Sequence, residues 1–194
     1  MTLGELGAYV SSHLAKRGIQ VVLSGGACVS LYSANLYRSD DLDFIESGSA
    51  ARKMLKQALG EIGFQESRRY FQHPGTRFFL EFPSGPLAVG REPVKETAEK
   101  RYSTGLLRLL SPTDCVKDRL AAYFHWHDLQ SLEQAVLVCA RNPVDLKEVR
   151  RWAGNEGMAS EYAGISRRLA PKKASPGRPK PAGRMTLINK KTLI

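Results

Sequence analysis

Two aspartates two positions apart, Asp41 and Asp43, sit in the run Asp41-Leu42-Asp43-Phe44-Ile45, and a Ser24-Gly25-Gly26 turn lies upstream. Leu42, Phe44 and Ile45 mark the run as a strand, and alternation then puts both carboxylates side by side on one face. Neighbouring carboxylates repel unless a cation lies between them. Oxygen ligands at this spacing suit Mg²⁺ or Mn²⁺ in the company of substrate phosphates. A Gly-Gly turn lets backbone N–H groups approach an anion closely, and the helix expected to follow adds its dipole. An anion cradle beside a metal-binding pair is the equipment for phosphoryl or nucleotidyl transfer.

The elements that must hold these residues are legible in outline. Leu3, Leu6, Val10 and Leu14 form a helical stripe over residues 2–17. Ile19–Leu23 is a short β-branched run and is expected to be a buried strand. A helix is expected from Ala27 to about Asn35, and another over 49–59. Strands are expected at Ile62–Glu66, Arg68–Gln72, Arg77–Phe82 and Gly105–Leu110. In the second half, Ser111-Pro112-Thr113-Asp114 is a helix start, with a capping serine and proline at the first helical position. Helices are predicted near 112–125, 129–141 and 145–153, with Gly154 and Gly157 ending the run. The expected organisation is a core at 1–110, a helical part at 111–170 and a basic, Pro-rich tail at 171–194. The final stretch could add one more strand.

The 194 residues are 42% hydrophobic and 25% charged, which excludes wholesale disorder and a disulfide scaffold. No stretch approaches the length needed to cross a bilayer, and residues 1–20 lack the pattern of a secretory signal. Three cysteines, Cys28, Cys115 and Cys139, stand among apolar neighbours. A cytoplasmic protein with reduced structural thiols is expected. The net charge is +10, of which +8 falls after residue 160. The body is nearly neutral, so its fold cannot be argued to bind nucleic acid from the overall charge.

The stretch VVLSGGACVSLYSANLYRSDDLDFI resembles the signature of the polymerase-β-like nucleotidyltransferase superfamily: strand, Gly-Gly, helix, then Asp-x-Asp between apolar residues. Arg38-Ser39 before the acids is similar to the toxin-type, abortive-infection-like bacterial branch. The resemblance implies an α+β fold, with a small mixed sheet flanked by helices and a helical C-terminal half forming the other wall of the cleft. It also implies Mg²⁺ or Mn²⁺ and an NTP as substrate, with Asp41 and Asp43 as metal ligands. Ser24, Gly25 and Gly26 would cradle the phosphates, with help from Ser39. The family's third carboxylate is matched by Glu81 in RFFLEFP, an acid in an aromatic strand that must find a cation or a partner. Lys117 would contact triphosphate oxygens and Asp128 would sit near the cleft. The acceptor implied is a tRNA, another RNA or a protein hydroxyl, and a toxin would have a cognate antitoxin.

Other residues carry less. His125 and His127 flank Trp126 and point apart on a helix. His13 and His73 stand alone, and no cysteine has a CxxC partner. Tyr70, Phe71, Phe78, Phe79 and Phe82 are expected as core alternation. Gly177-Arg178-Pro179-Lys180 is similar to an AT-hook core without its leading arginine, and a polycationic segment holding RNA or DNA by phosphates is the simpler reading. Two other functions remain open on sequence: a non-catalytic regulator or antitoxin-like member of the fold, and a nucleic-acid-binding module acting through the tail.

Overall fold

The computed structural model describes residues 1–46, 48 and 52–170. The basic tail, its AT-hook-like segment, the possible final strand and the first residues of the helix expected over 49–59 therefore lie outside the described residues.

Helix α1 (Leu3–Ala15) leads into β1 (Val21–Ser24), α2 (Gly25–Tyr32), β2 (Asp41–Glu46) and α3 (Arg52–Gly60). Three short strands follow, β3 (Gln65–Ser67), β4 (Tyr70–Gln72) and β5 (Phe79–Glu81). Next come a two-residue hairpin, β6 (Ala88–Val89) and β7 (Glu92–Pro93), and a long one, β8 (Thr97–Tyr102) and β9 (Gly105–Leu110). Helices α4 (Pro112–Trp126), α5 (Leu129–Cys139), α6 (Leu146–Asn155) and α7 (Ala159–Leu169) complete the fold. Seven strands form one sheet in the order β3-β4-β5-β2-β1-β9-β8, parallel at β2–β5 and β1–β9 and antiparallel elsewhere. This is the expected mixed sheet with a helical C-terminal half, though the sheet is wider than expected.

Strand β2 is central. Its even residues, Leu42 and Phe44, are fully buried. Leu42 points towards α1, where Gly7 leaves room for it; a methyl there would meet Leu42 and Leu107 at 3.3 Å. Phe44 stacks on Phe82 at 5.7 Å. The apolar even positions thus anchor β2 to the core, and alternation turns Asp41 and Asp43 to the opposite face. α1 is itself fixed by a capping box between Thr2 and Glu5 and tied to β9 by Ser12, whose Oγ accepts from the Leu106 N–H at 2.9 Å.

The helical half packs on α2. Tyr32 Oη donates to the Leu110 carbonyl at 2.7 Å, and Asn142 Nδ2 donates to the Tyr32 carbonyl at 2.9 Å. Trp152 is fully buried, stacks on Phe124 at 6.1 Å and donates its indole N–H to the Val89 carbonyl at 3.1 Å.

Several elements depart from the sequence expectation. The β6–β7 hairpin was not expected, and β3 lies at Gln65–Ser67 where a strand was expected at Ile62–Glu66. α2 starts at Gly25 rather than Ala27, so the two glycines are its first turn and not a separate turn before it. β8 is a polar strand, TAEKRY, whose residues are exposed or half-buried throughout, so no apolar alternation announces it. The helical run does not end at Gly157: that glycine, at φ +78°, closes α6, and α7 begins two residues later. Its buried Tyr162, Ile165 and Leu169 are a helical stripe.

Truncating Leu42 to alanine should remove packing beneath both aspartates at once. The expected cost is about 2–5 kcal/mol of unfolding free energy, read by urea denaturation; a cost within experimental error would show that β2 is not anchored in this way.

Candidate active site

Pairing registers bring the sequence-predicted acids together. Antiparallel pairing sets Ser24 opposite Asp43, and parallel pairing sets Asp41 opposite Phe79 and Asp43 opposite Glu81. Glu81 therefore shares a face with both aspartates, one strand away from Asp43. It is not free: the Arg69 guanidinium Nε lies 3.5 Å from its carboxylate.

The glycine pair is explained by close approach. Gly25 has φ +63°, and a Cβ there would collide with the Asp43 carboxylate. A Cβ at Gly26 would press on Ser39 Oγ at 3.1 Å and on the Tyr37 ring at 3.2 Å. Ser24 precedes the helix without capping it; its hydroxyl instead donates to the Asp43 carbonyl at 3.2 Å, which ties β1 to β2. The first turn of α2, with its N–H groups, thus begins beside the carboxylates, an arrangement suited to an anion.

The loop between α2 and β2 is held by serines. The Ser30 hydroxyl accepts from the Ser39 N–H at 2.9 Å and donates to the Gly26 carbonyl at 3.2 Å. Buried Ser39 in turn donates its hydroxyl to Asp41 Oδ1. Ser39 is therefore an orienting partner of Asp41 in this structure.

Burial, then Asp41 and then Glu81, push the Asp43 carboxyl up to about 7, with Arg119 opposing them. Arg119 comes from α4, pairs with Asp118 at 2.6 Å and reaches Gln134 Oε1 at 3.4 Å. Burial and the charge of Asp41 likewise raise the Tyr37 phenol. The sequence reading placed the α4 contribution at Lys117 and missed Arg119. Its signal was present: Arg119 lies four residues after buried Cys115 and next to buried Leu120, so a cation falls on the inward side of the helix.

Lys117 is engaged between two helices in this structure. It is buried, but its ammonium lies 2.8 Å from Glu148 and 3.2 Å from Asp114, where it links α4 to α6. Arg119 acts on Asp43, and Arg69 also feels its charge. Asp128 is the N-cap of α5, accepting from the Gln130 N–H at 2.9 Å and from the Ser131 hydroxyl at 2.6 Å. Trp126, between the two histidines, is 76% exposed. Cys28 and Cys115 are buried and meet across α2 and α4, where Cys28 Sγ also donates to the Leu23 carbonyl at 3.0 Å.

Among the described residues no three His, Cys, Asp or Glu side chains are drawn together as a finished metal cluster. The chemistry of Asp41, Asp43 and Glu81 nevertheless fits a hard divalent cation: all the donors are oxygen, and burial together with the charges of Asp41 and Glu81 raises the Asp43 carboxyl.

Asp43 binds its proton more tightly folded than unfolded. Its ionisation therefore costs stability, beginning near the ordinary carboxylate value of about 4 and complete above about 7. In EDTA, Asp43→Asn should raise the urea midpoint at pH 8 and leave it nearly unchanged at pH 4. An equal effect at both values would contradict this electrostatic reading.

No protein-family model and no curated protein matches the chain. Among solved structures it is similar to an antigenic nucleotidyltransferase-like protein from Paracoccidioides brasiliensis, at TM-score 0.59 and 15% identity over 89% of this chain and 94% of that one. It is also similar to the antibiotic-resistance factor ANT(2'')-Ia in solution, at TM-score 0.52 and 14% identity over 85% and 95%. The two likenesses and the seven-stranded mixed sheet agree: this chain has the nucleotidyltransferase fold.

Proposed function

We propose that the chain is a metal-dependent nucleotidyltransferase that moves a nucleoside monophosphate from an NTP to an acceptor hydroxyl and releases pyrophosphate. The observation that carries this reading is the placement of Asp41, Asp43 and Glu81 on one sheet face beside a helix that opens on Gly25-Gly26. Asp41, Asp43 and Glu81 would hold Mg²⁺ or Mn²⁺. When bound, such ions polarise the α-phosphate and neutralise charge on the leaving pyrophosphate.

The chain's own groups do the rest. Gly25 and Gly26 bring the first N–H groups of α2 to the β- and γ-phosphates, with Ser24 holding the strand end that carries them. Ser39 fixes the rotamer of Asp41 through its hydroxyl. Arg119 supplies, from the helical wall, the positive charge first sought at Lys117. Glu81 accepts the proton of the attacking hydroxyl once Arg69 moves aside.

Arg38-Ser39 and the Asp-x-Asp spacing support the toxin-type branch, whose acceptor would be a tRNA, another RNA or a protein hydroxyl, with a cognate antitoxin as partner. The core at 1–110 would carry the chemistry and the helices to 170 the second wall. The cations beyond Ala170 would hold nucleic acid by its phosphates.

Incubation with total RNA and Mg²⁺ separates the transferred group. Label from an α-³²P NTP should become acid-insoluble, whereas γ-³²P should leave as pyrophosphate. Asp41→Asn/Asp43→Asn should lower transfer by about 100-fold or more. Incorporation of γ-label, or full activity in the double variant, would contradict the reading.

A further inference from the structure

The face that carries the three carboxylates continues outward across β5, β4 and β3. Register sets Asp41 beside Phe79, Glu81 beside Tyr70, and Gln65 beside Gln72. Alternation then gathers Phe79, Tyr70, Gln72 and Gln65 on the side of the acids. The five aromatic residues expected as core alternation divide accordingly. Phe71, Phe78 and Phe82 are buried, whereas Tyr70 and Phe79 are half-buried on the carboxylate side, their rings edge to face at 4.8 Å. The Arg69 guanidinium covers the Tyr70 ring at 4.7 Å.

A cavity of about 640 Å³ opens beside Phe79, and Gln65, Ser67, Gln72 and Arg77 share its lining. Gln65 and Gln72 are exposed, and among the described residues neither carboxamide has a hydrogen-bond partner. The Phe79 ring, two carboxamides facing each other across β3 and β4, and the Ser67 hydroxyl form the chemistry that stacks and edge-reads an unpaired base. The volume suits a nucleoside.

We propose that this cavity receives the terminal base of a single-stranded nucleic-acid acceptor. The proposal rests on the nucleotidyl-transfer reading for the direction of approach. Phosphates cradled by Gly25-Gly26 would lie on the β1 side of the acids, and in-line displacement then brings the attacking hydroxyl from the β5 side. Charge favours a polyanion over a protein side chain. Arg77 lines the cavity, the one acid in its lining, Glu66, is paired with Arg52 and Lys56, and the sequence after Ala170 carries seven cations and no acid.

The test uses the full chain and a short RNA whose 3′ base is 2-aminopurine, which is quenched on stacking. The wild-type chain should quench the probe, and Phe79→Leu should abolish most of that quenching. Gln65→Ala/Gln72→Ala, at exposed strand positions, should weaken probe affinity about tenfold. Calorimetry with Mg²⁺ and a non-hydrolysable NTP should change less than about twofold in either variant. Unchanged quenching and affinity in both variants would overturn the proposal. So would weakened NTP binding with the probe unaffected, which would make this the donor-base site, or transfer of label to protein and not RNA. A wild-type chain that quenches the probe in the expected pattern but binds no NTP would support the base pocket and overturn the transferase reading instead.

Discussion

Carboxylates gathered and partly buried on adjacent strands are the constraint around which this site is built. Asp41 and Asp43 share a face of β2, and the parallel partner strand sets Glu81 beside Asp43. Burial, reinforced by the charges of Asp41 and Glu81, pushes the Asp43 carboxyl up to about 7. The arrangement persists because the even residues of the same strand, Leu42 and Phe44, are fully buried in the core. A one-residue slip would send both apolar side chains out and both acids in. Hydrophobic anchoring on one face thus enforces electrostatic crowding on the other, and a divalent cation is the group that would relieve it.

The surroundings follow from that crowding. Gly25 must lack a side chain because Asp43 occupies the space a Cβ would fill, and its left-handed backbone starts α2 at that point. Ser30 binds the loop end at Ser39 and the helix at Gly26, so the first turn of α2 and the loop that leads into the acidic strand are parts of one hydrogen-bonded unit. Cations enter from outside the sheet: Arg119 from α4 acts on Asp43, and Arg69 from the β3–β4 connection lies against Glu81.

The sequence made the site's centre legible and its periphery much less so. Asp41-Leu42-Asp43 is readable because period-two alternation depends only on strand identity, which Phe44 and Ile45 declare. Glu81 is conspicuous as an acid in an aromatic run. Arg119 was obscured by Lys117 two residues earlier, since charge alone does not say which partner an inward cation meets; Glu148, distant in sequence, claims Lys117. Tyr70 and Phe79 were indistinguishable from core aromatics, because their exposure depends on which end of the sheet the helices leave uncovered. The fold was legible where apolar periodicity is strong and missed at β8, whose polar residues are held by pairing with β9 and not by burial.

The most direct measurement of this account is the titration of the Asp43 side-chain carboxyl by carbon-detected NMR, with and without Mg²⁺. Without metal it should titrate near pH 7, and saturating Mg²⁺ should drive it below the ordinary carboxylate value of about 4. An Asp43 that titrates near 4 in the free chain and does not move when Mg²⁺ is added would contradict it, because the acids would then be neither crowded nor bridged.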